Sequence, residues 1–244
     1  MKTTIYSCVT GNYDNVLTSL FRSKTYADEH TEFVLFSDRA DLVKTGKEDS
    51  FRVPGTHVTW RIKPIIYRHP VCNIRTARWH KVNSHLAVPD CDASVWIDGT
   101  QLIKVNNLRE DLVEPYFQTK ENLKVKPIAT FKHPERTCVY QEGAACRKLG
   151  KDNAAVIRRQ LQAYRSDNYP PYNGMVETAC VVRSNSLAVM EFNEFWWDEI
   201  AKYSRRDQLS FNYTGWKTKI SHGFIAGHRI KSPYFDFVPH KKRR

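Results

Sequence analysis

The sequence predicts an α/β protein with a central, mostly parallel β-sheet flanked by helices, in a single domain of residues 1–240. Short β-branched and aromatic runs alternate with segments of helical periodicity, which is the order typical of β-α-β units. The 244 residues, 41% of them hydrophobic, are enough to bury one large core. No internal repeat, linker or compositional break divides the chain, and a basic tail at 241–244 follows the predicted domain.

Five strands are predicted, at residues 3–9, 32–37, 58–62, 93–103 and 176–183. The first ends at Thr10-Gly11-Asn12, a turn signal, and the fourth is interrupted by Asp98-Gly99. Cys8 and Cys180 lie inside apolar runs, which favours buried thiols. Since no C-x-x-C pair occurs among the six cysteines, the spacing argues against a zinc ribbon.

Helices are predicted near 15–22 and at 76–86, 152–164 and 187–203. Asp152 is the predicted N-cap of the third of these. In the second, Trp79, Val82 and Leu86 form an apolar stripe at helical spacing. The neighbouring face of that helix carries a set of cations: Arg78, Lys81 and His85.

The chain carries 38 Lys and Arg against 26 Asp and Glu, a net charge of +12. Such a surplus suits anionic partners, namely nucleic acid, an anionic membrane or phosphorylated small molecules, or it serves solubility alone. The charges are spread along the chain, which weakens the nucleic-acid hypothesis. No stretch approaches 18 apolar residues and no signal segment opens the chain. We therefore expect a soluble, cytoplasmic protein with no nucleic-acid partner and no transmembrane segment.

Asp98 is the strongest local feature, because it lies between apolar residues at the end of a predicted central strand. A buried carboxylate is costly unless it is paired or binds a metal. At the carboxyl end of a parallel strand it faces the crevice where α/β proteins bind ligands. There it is suited to a divalent ion that bridges two phosphates, with a turn-capping role as the alternative. Arg78 and Lys81, just upstream, are suited to bind a diphosphate or form a solvated helix face.

Two further segments combine carboxylates with polar and aromatic residues. The run Phe131-Lys132-His133-Pro134-Glu135-Arg136, followed by Glu142, offers stacking faces and hydrogen-bonding groups of the kind that sugars need, or is an ordinary surface loop. Asp207 and Glu177 are candidate general bases for an acceptor hydroxyl. The alternatives are an ion pair of Asp207 with Arg205 or Arg206 and a buried, hydrogen-bonded Glu177.

Six segments in this order resemble a glycosyltransferase-like family first catalogued as a domain of unknown function, with plant members linked to turgor regulation and seed mucilage and with microbial members. The resemblance runs from about residue 5 to residue 212. Its segments are Val9-Thr10-Gly11-Asn12-Tyr13-Asp14, Arg78-x-x-Lys81-x-x-x-His85, Trp96-Ile97-Asp98-Gly99, Phe131-Lys132-His133-Pro134-x-Arg136-x-Cys138-x-Tyr140-x-Glu142, Gly174-Met175-x-Glu177 and Arg206-Asp207-Gln208-Leu209-Ser210-Phe211.

The resemblance implies a GT-A fold and a hexosyl- or pentosyltransferase that uses a UDP- or GDP-sugar donor and a glycan or glycoconjugate acceptor. It places the donor near Thr10, Gly11, Tyr13, Asp38, Arg78, Lys81, Asp98 and Gly99. It places the acceptor near Lys132, His133, Arg136, Glu142 and Gln208. Asp207 takes the position of the acceptor base, with Glu177 as the second candidate.

The resemblance also implies a divalent metal, Mn²⁺ or Mg²⁺, because Asp98 stands where GT-A enzymes carry a D-x-D motif. This sequence departs from that motif, since Thr100 replaces the second acid. Asp98 is therefore expected to hold the metal alone, with a water, or with a C-terminal histidine, for which His228 and His222 are the candidates. The same departure keeps open a catalytically inactive glycan-binding domain, and the net charge keeps open a basic nucleic-acid-binding module.

Overall fold

The computed structural model describes residues 1–11, 19–43, 48–117 and 126–239. Its strands are β1 (Thr3–Val9), β2 (Thr31–Ser37), β3 (Asp49–Arg52), β4 (Thr59–Pro64), β5 (Ala93–Ile97), β6 (Gln101–Ile103), β7 (Ile128–Lys132), β8 (Val176–Ser184), β9 (His222–Ile225) and β10 (Phe235–Phe237). Its α-helices are α1 (Asn73–Val82), α2 (Ser84–Ala87), α3 (Glu114–Phe117), α4 (Val139–Lys148), α5 (Ala154–Ser166), α6 (Leu187–Lys202) and α7 (Gln208–Thr218).

The main sheet has eight strands in the order β3-β4-β2-β1-β5-β8-β7-β9, and β6 pairs with β10 in a separate ribbon. Four of the seven neighbouring pairs in the main sheet are parallel and three are antiparallel. The predicted α/β fold with a mostly parallel sheet is therefore confirmed. The predicted strand at 176–183 is β8, which runs antiparallel to β5.

The strand order reverses between β1 and β5. The chain proceeds from β1 outward through β2 and β4, then returns to place β5 on the other side of β1. Such a reversal opens a crevice at the carboxyl ends of the two strands, where α/β proteins bind their ligands. Thr10 and Gly11 follow β1 at this crevice, and Asp98 follows β5.

Both faces of the sheet are covered, and the central strands β1 and β5 are buried along their whole length. On one face, side chains of α1, α2, α6 and α7 pack around Tyr6, Trp96 and Phe192. The opposite face is covered by the 3-10 turn Leu20–Arg22, the β6–β10 ribbon and the π-helical turn Arg109–Val113. Since other elements cover both faces, a ligand can approach the sheet at the ends of its strands.

An irregularity in β8 shapes the site. The pairing between β7 and β8 jumps from Thr130↔Val181 to Phe131↔Glu177, so residues 178–180 form a bulge on β8. The Thr130 hydroxyl lies 3.0 Å from the Glu177 carbonyl oxygen and 2.6 Å from that of Cys180. Bulges re-aim side chains beside functional sites. This one turns Thr178 toward α1, where its hydroxyl lies 3.1 Å from Lys81 Nζ.

Buried Arg183 anchors the end of α1 that carries Lys81. Its guanidinium donates hydrogen bonds to the carbonyl oxygens of Lys81 and Val82, at 2.7 and 2.9 Å, and to the Tyr6 hydroxyl at 2.6 Å. The carbonyl end of a helix carries partial negative charge, which favours a cation there. Arg183 is therefore a positioning residue that joins β1, α1 and β8.

Several predicted element boundaries need correction. The helix predicted at 76–86 begins at Asn73 and is followed by the separate turn α2, and Leu86 is exposed instead of lying on a buried stripe. The N-cap of α5 is Asn153, whose side chain accepts hydrogen bonds from the backbone of residues 155 and 156, and not Asp152. In the helix predicted near 15–22, residues 15–18 lie outside the described residues, and residues 20–22 form a 3-10 turn.

Within the described ranges, no helix combines the length and apolarity that a membrane span requires.

Candidate functional site

A buried ammonium group lies at the centre of the site. Lys81 Nζ is 2.6 Å from Asp207 Oδ2 and 3.3 Å from Asp98 Oδ1, and its side chain is 1% exposed. Arg78 adds a second cation, with Nε 3.2 Å from Asp207 Oδ1 and Nη1 3.8 Å from Asp98 Oδ1. Two cations from one helix thus hold two carboxylates from different parts of the chain.

Asp98 is the accessible member of this cluster. Its side chain is 29% exposed, while that of Asp207 is 1% exposed. Asp98 Oδ1 also accepts a hydrogen bond of 2.7 Å from the Trp96 indole, which fixes the carboxylate at the end of β5. Within this cluster, the crevice therefore exposes the Asp98 carboxylate most, Arg78 in part and the Lys81 ammonium hardly at all.

Asp207 is held in its charged form. Burial by itself would raise the pKa of Asp207, but the charges of Arg78 and Lys81 outweigh it and hold the pKa well below its usual range. Burial lowers the pKa of Lys81, and the charges of Asp207 and Asp98 oppose that shift. A carboxylate with so low a pKa is a weak proton acceptor. The role of general base predicted for Asp207 stays a prediction, and its geometry favours an anchor for Lys81.

A second polar group lies at the ends of β1 and β2. Gly11, with φ of 57°, donates its backbone N–H to Asp38 Oδ1 at 2.8 Å, and Arg68 Nη2 lies 3.1 Å from Asp38 Oδ2. The Thr10 hydroxyl donates to the Asn73 carbonyl oxygen at 3.0 Å. Glycine suits this turn because its backbone adopts positive φ without steric cost. Thr10, Gly11 and Asp38 are therefore brought together as predicted, while Tyr13 lies outside the described residues.

Glu177 lies at the start of β8, on the other side of β5. Its carboxylate accepts the Arg229 backbone N–H at 3.2 Å and lies 3.3 Å from Arg229 Nε. The Arg229 carbonyl oxygen in turn accepts a hydrogen bond from Gln101 Nε2 at 3.3 Å. The C-terminal loop that carries His228 and Arg229 is thereby attached to the segment that follows Asp98.

The predicted acceptor residues gather on the β7–β8 side. His133 Nε2 lies 3.6 Å from Glu142 Oε2 and 3.3 Å from Arg136 Nη2, so these three side chains form one cluster. Burial lowers the pKa of His133 more than the Glu142 charge raises it, which keeps the imidazole neutral at pH 7. Gln208 Nε2 donates to the Val176 carbonyl oxygen at 2.9 Å. Lys132 is exposed at the end of β7.

The two residues predicted to hold a metal differ in their surroundings. His228 Nδ1 is buried and has no hydrogen-bond partner within the described part of the chain. The contacts of Asp98 described above all involve Oδ1. Across residues 1–11, 19–43, 48–117 and 126–239, no group of three His, Cys, Asp or Glu side chains is arranged to hold a metal ion.

The sequence pattern missed several residues that build the site: Arg68, Thr178, Arg183 and Arg229. Arg68 and Arg229 are in irregular segments with no periodicity to mark them. Thr178 and Arg183 stand within an apolar strand, where a polar residue is itself a signal that a partner is needed. Neither Arg205 nor Arg206 is the main partner of Asp207, as the ion-pair alternative assumed; that partner is Lys81 together with Arg78.

The chain is similar to known proteins over most of its length. The family model described as "TOD1/MUCI70, glycosyltransferase-like domain" matches residues 1–229. The sequence is also 26% identical over 220 residues to the "Probable hexosyltransferase MUCI70" of Arabidopsis thaliana. That alignment covers 85% of this chain and 36% of the Arabidopsis protein, so the chain spans little more than a third of that relative's length.

Substitution Asp207→Asn tests the buried ion cluster through stability. Leaving Lys81 without its closest carboxylate is expected to lower the free energy of unfolding by about 3–5 kcal/mol near pH 7. A carboxylate with a depressed folded-state pKa stabilises the fold above its unfolded pKa of about 3.9, and this contribution is lost as the pH falls further. The difference between wild type and variant should therefore shrink between pH 4 and pH 2, as measured by urea unfolding.

The matched control is Asp198→Asn, an exposed position on α6, which is expected to change stability by no more than about 0.5 kcal/mol. A difference between wild type and Asp207→Asn that stays constant from pH 6 to pH 2 would show that the Asp207 charge does not stabilise the fold.

Proposed function

Since this chain belongs to the TOD1/MUCI70 glycosyltransferase-like family, we propose that it transfers a hexosyl or pentosyl group from a nucleotide-diphosphate sugar to a hydroxyl of a glycan or glycoconjugate. The observation that carries this proposal is the Lys81 ammonium held between Asp98 and Asp207 at the reversal of strand order. A cation fixed at the carboxyl end of a central parallel strand is suited to a phosphate group bound in the crevice.

The donor's position follows from the two polar groups that flank this crevice. Asp38 and Gly11 lie at the ends of β2 and β1, and Asp98 lies at the end of β5. A UDP- or GDP-sugar that spans these strand ends would place its nucleoside near Gly11 and Asp38. Its diphosphate would lie near Arg78 and Lys81, and its sugar beyond β5.

The reaction breaks the bond between the sugar and the diphosphate and forms a bond to the acceptor oxygen. Negative charge develops on the leaving diphosphate, and prearranged cations stabilise such charge most where water is excluded. Lys81 and Arg78 would supply this stabilisation, because Asp207 and Arg183 already fix their helix. The nucleoside diphosphate leaves with the bonding electrons, and the acceptor hydroxyl loses its proton.

We assign the acceptor proton to Glu177 rather than to Asp207. Asp207 is engaged by buried Lys81 and by Arg78, whereas the partner of Glu177 is Arg229, whose side chain is 46% exposed. The Glu177 carboxylate lies on the same side of β5 as His133, Arg136 and Gln208, the predicted acceptor residues.

A divalent cation would be coordinated jointly by protein side chains and by the phosphates of the donor. Mg²⁺ and similar ions are often held by one or two protein ligands, with substrate phosphates and water completing the shell. Asp98 and the unpartnered His228 Nδ1 would be the protein ligands. When bound, the ion would neutralise part of the diphosphate charge, adding to the effect of Lys81 and Arg78.

Asp98→Asn tests the transfer reaction itself. The amide keeps the shape of the side chain but removes the charge that holds Lys81 and Arg78 at the strand end, so sugar transfer should fall by at least about 100-fold. The variant should still fold, because Asp207 continues to pair with Lys81 at 2.6 Å. Transfer would be measured as release of UDP or GDP and as labelled product, with hexose and pentose nucleotide sugars and Mn²⁺ present.

Asp90→Asn, at an exposed position before β5, is the control and should transfer sugar at the wild-type rate. Wild-type activity in Asp98→Asn would remove Asp98 from the mechanism. A wild-type protein whose melting temperature rises with a nucleotide sugar, but which neither transfers nor hydrolyses it, would be a binding domain.

Glu177→Gln is expected to lower transfer by roughly 10²–10⁴-fold, the usual contribution of a general base. Binding of UDP or GDP, measured by calorimetry, should be unchanged because the residue contacts the acceptor side. Glu191→Gln on the exposed face of α6 is the control. Unchanged transfer in Glu177→Gln would show that another group takes the acceptor proton.

His228→Ala tests the metal. With UDP or GDP present, Mn²⁺ should raise the melting temperature of wild type beyond the effect of the nucleotide alone, because a ligand that binds the native state stabilises it. The variant should lose most of this additional shift, while His30→Ala, an exposed position, should retain it. An equal Mn²⁺ shift in His228→Ala and wild type would exclude His228 as a ligand.

A further inference from the structure

We infer that Tyr172 is the platform on which a sugar ring of the acceptor stacks. This inference rests on the proposed transfer of a sugar, and it adds a specific residue to the acceptor side of the site. Tyr172 belongs to the loop between α5 and β8, and neither its sequence context nor the family resemblance marked it.

The conformation of Tyr172 is unusual for its residue type. Its φ is 58°, in the left-handed region, although its side chain is large and 66% exposed. A bulky residue at positive φ is an outlier, and strained conformations of this kind persist at functional sites where the surroundings impose them. Burial of the ring cannot be the reason for this one, because most of the ring faces solvent.

The loop around Tyr172 is firmly anchored. Tyr169 is 3% exposed and packs edge-on against Tyr213 and Trp216. Its carbonyl oxygen accepts a hydrogen bond of 2.7 Å from the Tyr140 hydroxyl. The two residues between Tyr169 and Tyr172 are prolines, which restrict the backbone further. The exposed ring is therefore presented from a fixed base.

The loop leads directly into the acceptor side of the site. Gly174, at φ of 84°, is followed by Met175, whose carbonyl oxygen accepts the His133 N–H at 2.9 Å. The next residue, Val176, accepts the hydrogen bond from Gln208. Val176 is the fourth residue after Tyr172, so their Cα atoms lie no more than about 14 Å apart.

The sheet order favours the acceptor over the donor as the occupant. The donor's predicted nucleoside residues, Gly11 and Asp38, follow β1 and β2, whereas Tyr172 precedes β8. Since β5 lies between β1 and β8, the two strands are about 10 Å apart. A tyrosine ring offers a rigid apolar face with a polar tip. A pyranose has an apolar C–H face that suits such a ring and a hydroxyl rim that suits its polar tip.

The experiment compares Tyr172→Ala, Tyr172→Gly and Tyr172→Phe in steady-state transfer. The probes are 2-aminobenzamide-labelled oligosaccharides of glucose, galactose, xylose and galacturonic acid, and the one that wild type glycosylates best is used. The alanine and glycine variants should raise the acceptor KM at least about fivefold, because both lack the ring. The phenylalanine variant should stay within about twofold of wild type.

Donor KM and donor hydrolysis without acceptor should be unchanged in all three variants. Tyr172→Gly separates the ring from the backbone, since glycine relieves the strain at positive φ and should not lower the melting temperature. Tyr26→Ala, at another exposed tyrosine, is the control and should leave the acceptor KM unchanged.

An acceptor KM that is unchanged in both Tyr172→Ala and Tyr172→Gly would overturn the inference, and so would a raised donor KM, which would place the nucleobase on Tyr172 instead. Failure of the proposed function is a separate result, because wild type itself would then transfer no sugar to any probe.

Discussion

The site depends on the burial of one ammonium group. Lys81 is enclosed by α1, β5, β8 and the start of α7, and a charge in such a place is tolerated only when carboxylates and hydrogen-bond acceptors surround it. Asp207, Asp98 and Thr178 meet that requirement from three separate parts of the chain. The cluster thus ties together the helix, the strand end and the bulge that form the crevice.

A second buried cation supports the first. Arg183 on β8 donates hydrogen bonds to the carbonyl oxygens of Lys81 and Val82. These bonds fix the last turn of α1, the helix that carries Arg78 and Lys81. This arrangement holds Lys81 out of water and leaves Arg78 partly exposed beside it. A site that stabilises charge developing on a leaving group gains most from such prearranged groups, because they need not reorganise during the reaction.

The topology divides the crevice into two sides. β1 and β2 end in Gly11 and Asp38, and the antiparallel strands β7 and β8 carry His133 and Glu177. Asp98 stands between them at the end of β5. In the proposed reaction, the nucleotide would occupy the first side and the glycan the second, with Arg78 and Lys81 beside Asp98 between them.

Local patterns were sufficient for the strands at 3–9, 32–37 and 176–183, for the long helix 187–203 and for the position of Asp98, since apolar runs and a carboxylate at a strand end are visible in one dimension. The sequence pattern does not predict helix α7, because residues 209–214 are all buried and alternate between apolar and polar types, which is the period of a strand and not of a helix. The sequence pattern does not separate the strand β7 from the helix α4, because the polar and charged residues between them make the segment 131–142 resemble a loop.

By itself, the sequence determined the fold class, the apolar strands and the residue types available for a phosphate-binding site, because these depend on composition and periodicity. The tertiary structure decided which cation enters the core. The sequence predicts Lys81 on a helix face suited to a diphosphate or to solvent, and only the packing of α1 against β5 and β8 shows that the ammonium is buried between Asp98 and Asp207. Contacts between residues over a hundred positions apart, such as Lys81 and Asp207, leave no trace in local periodicity, since they arise when distant segments meet.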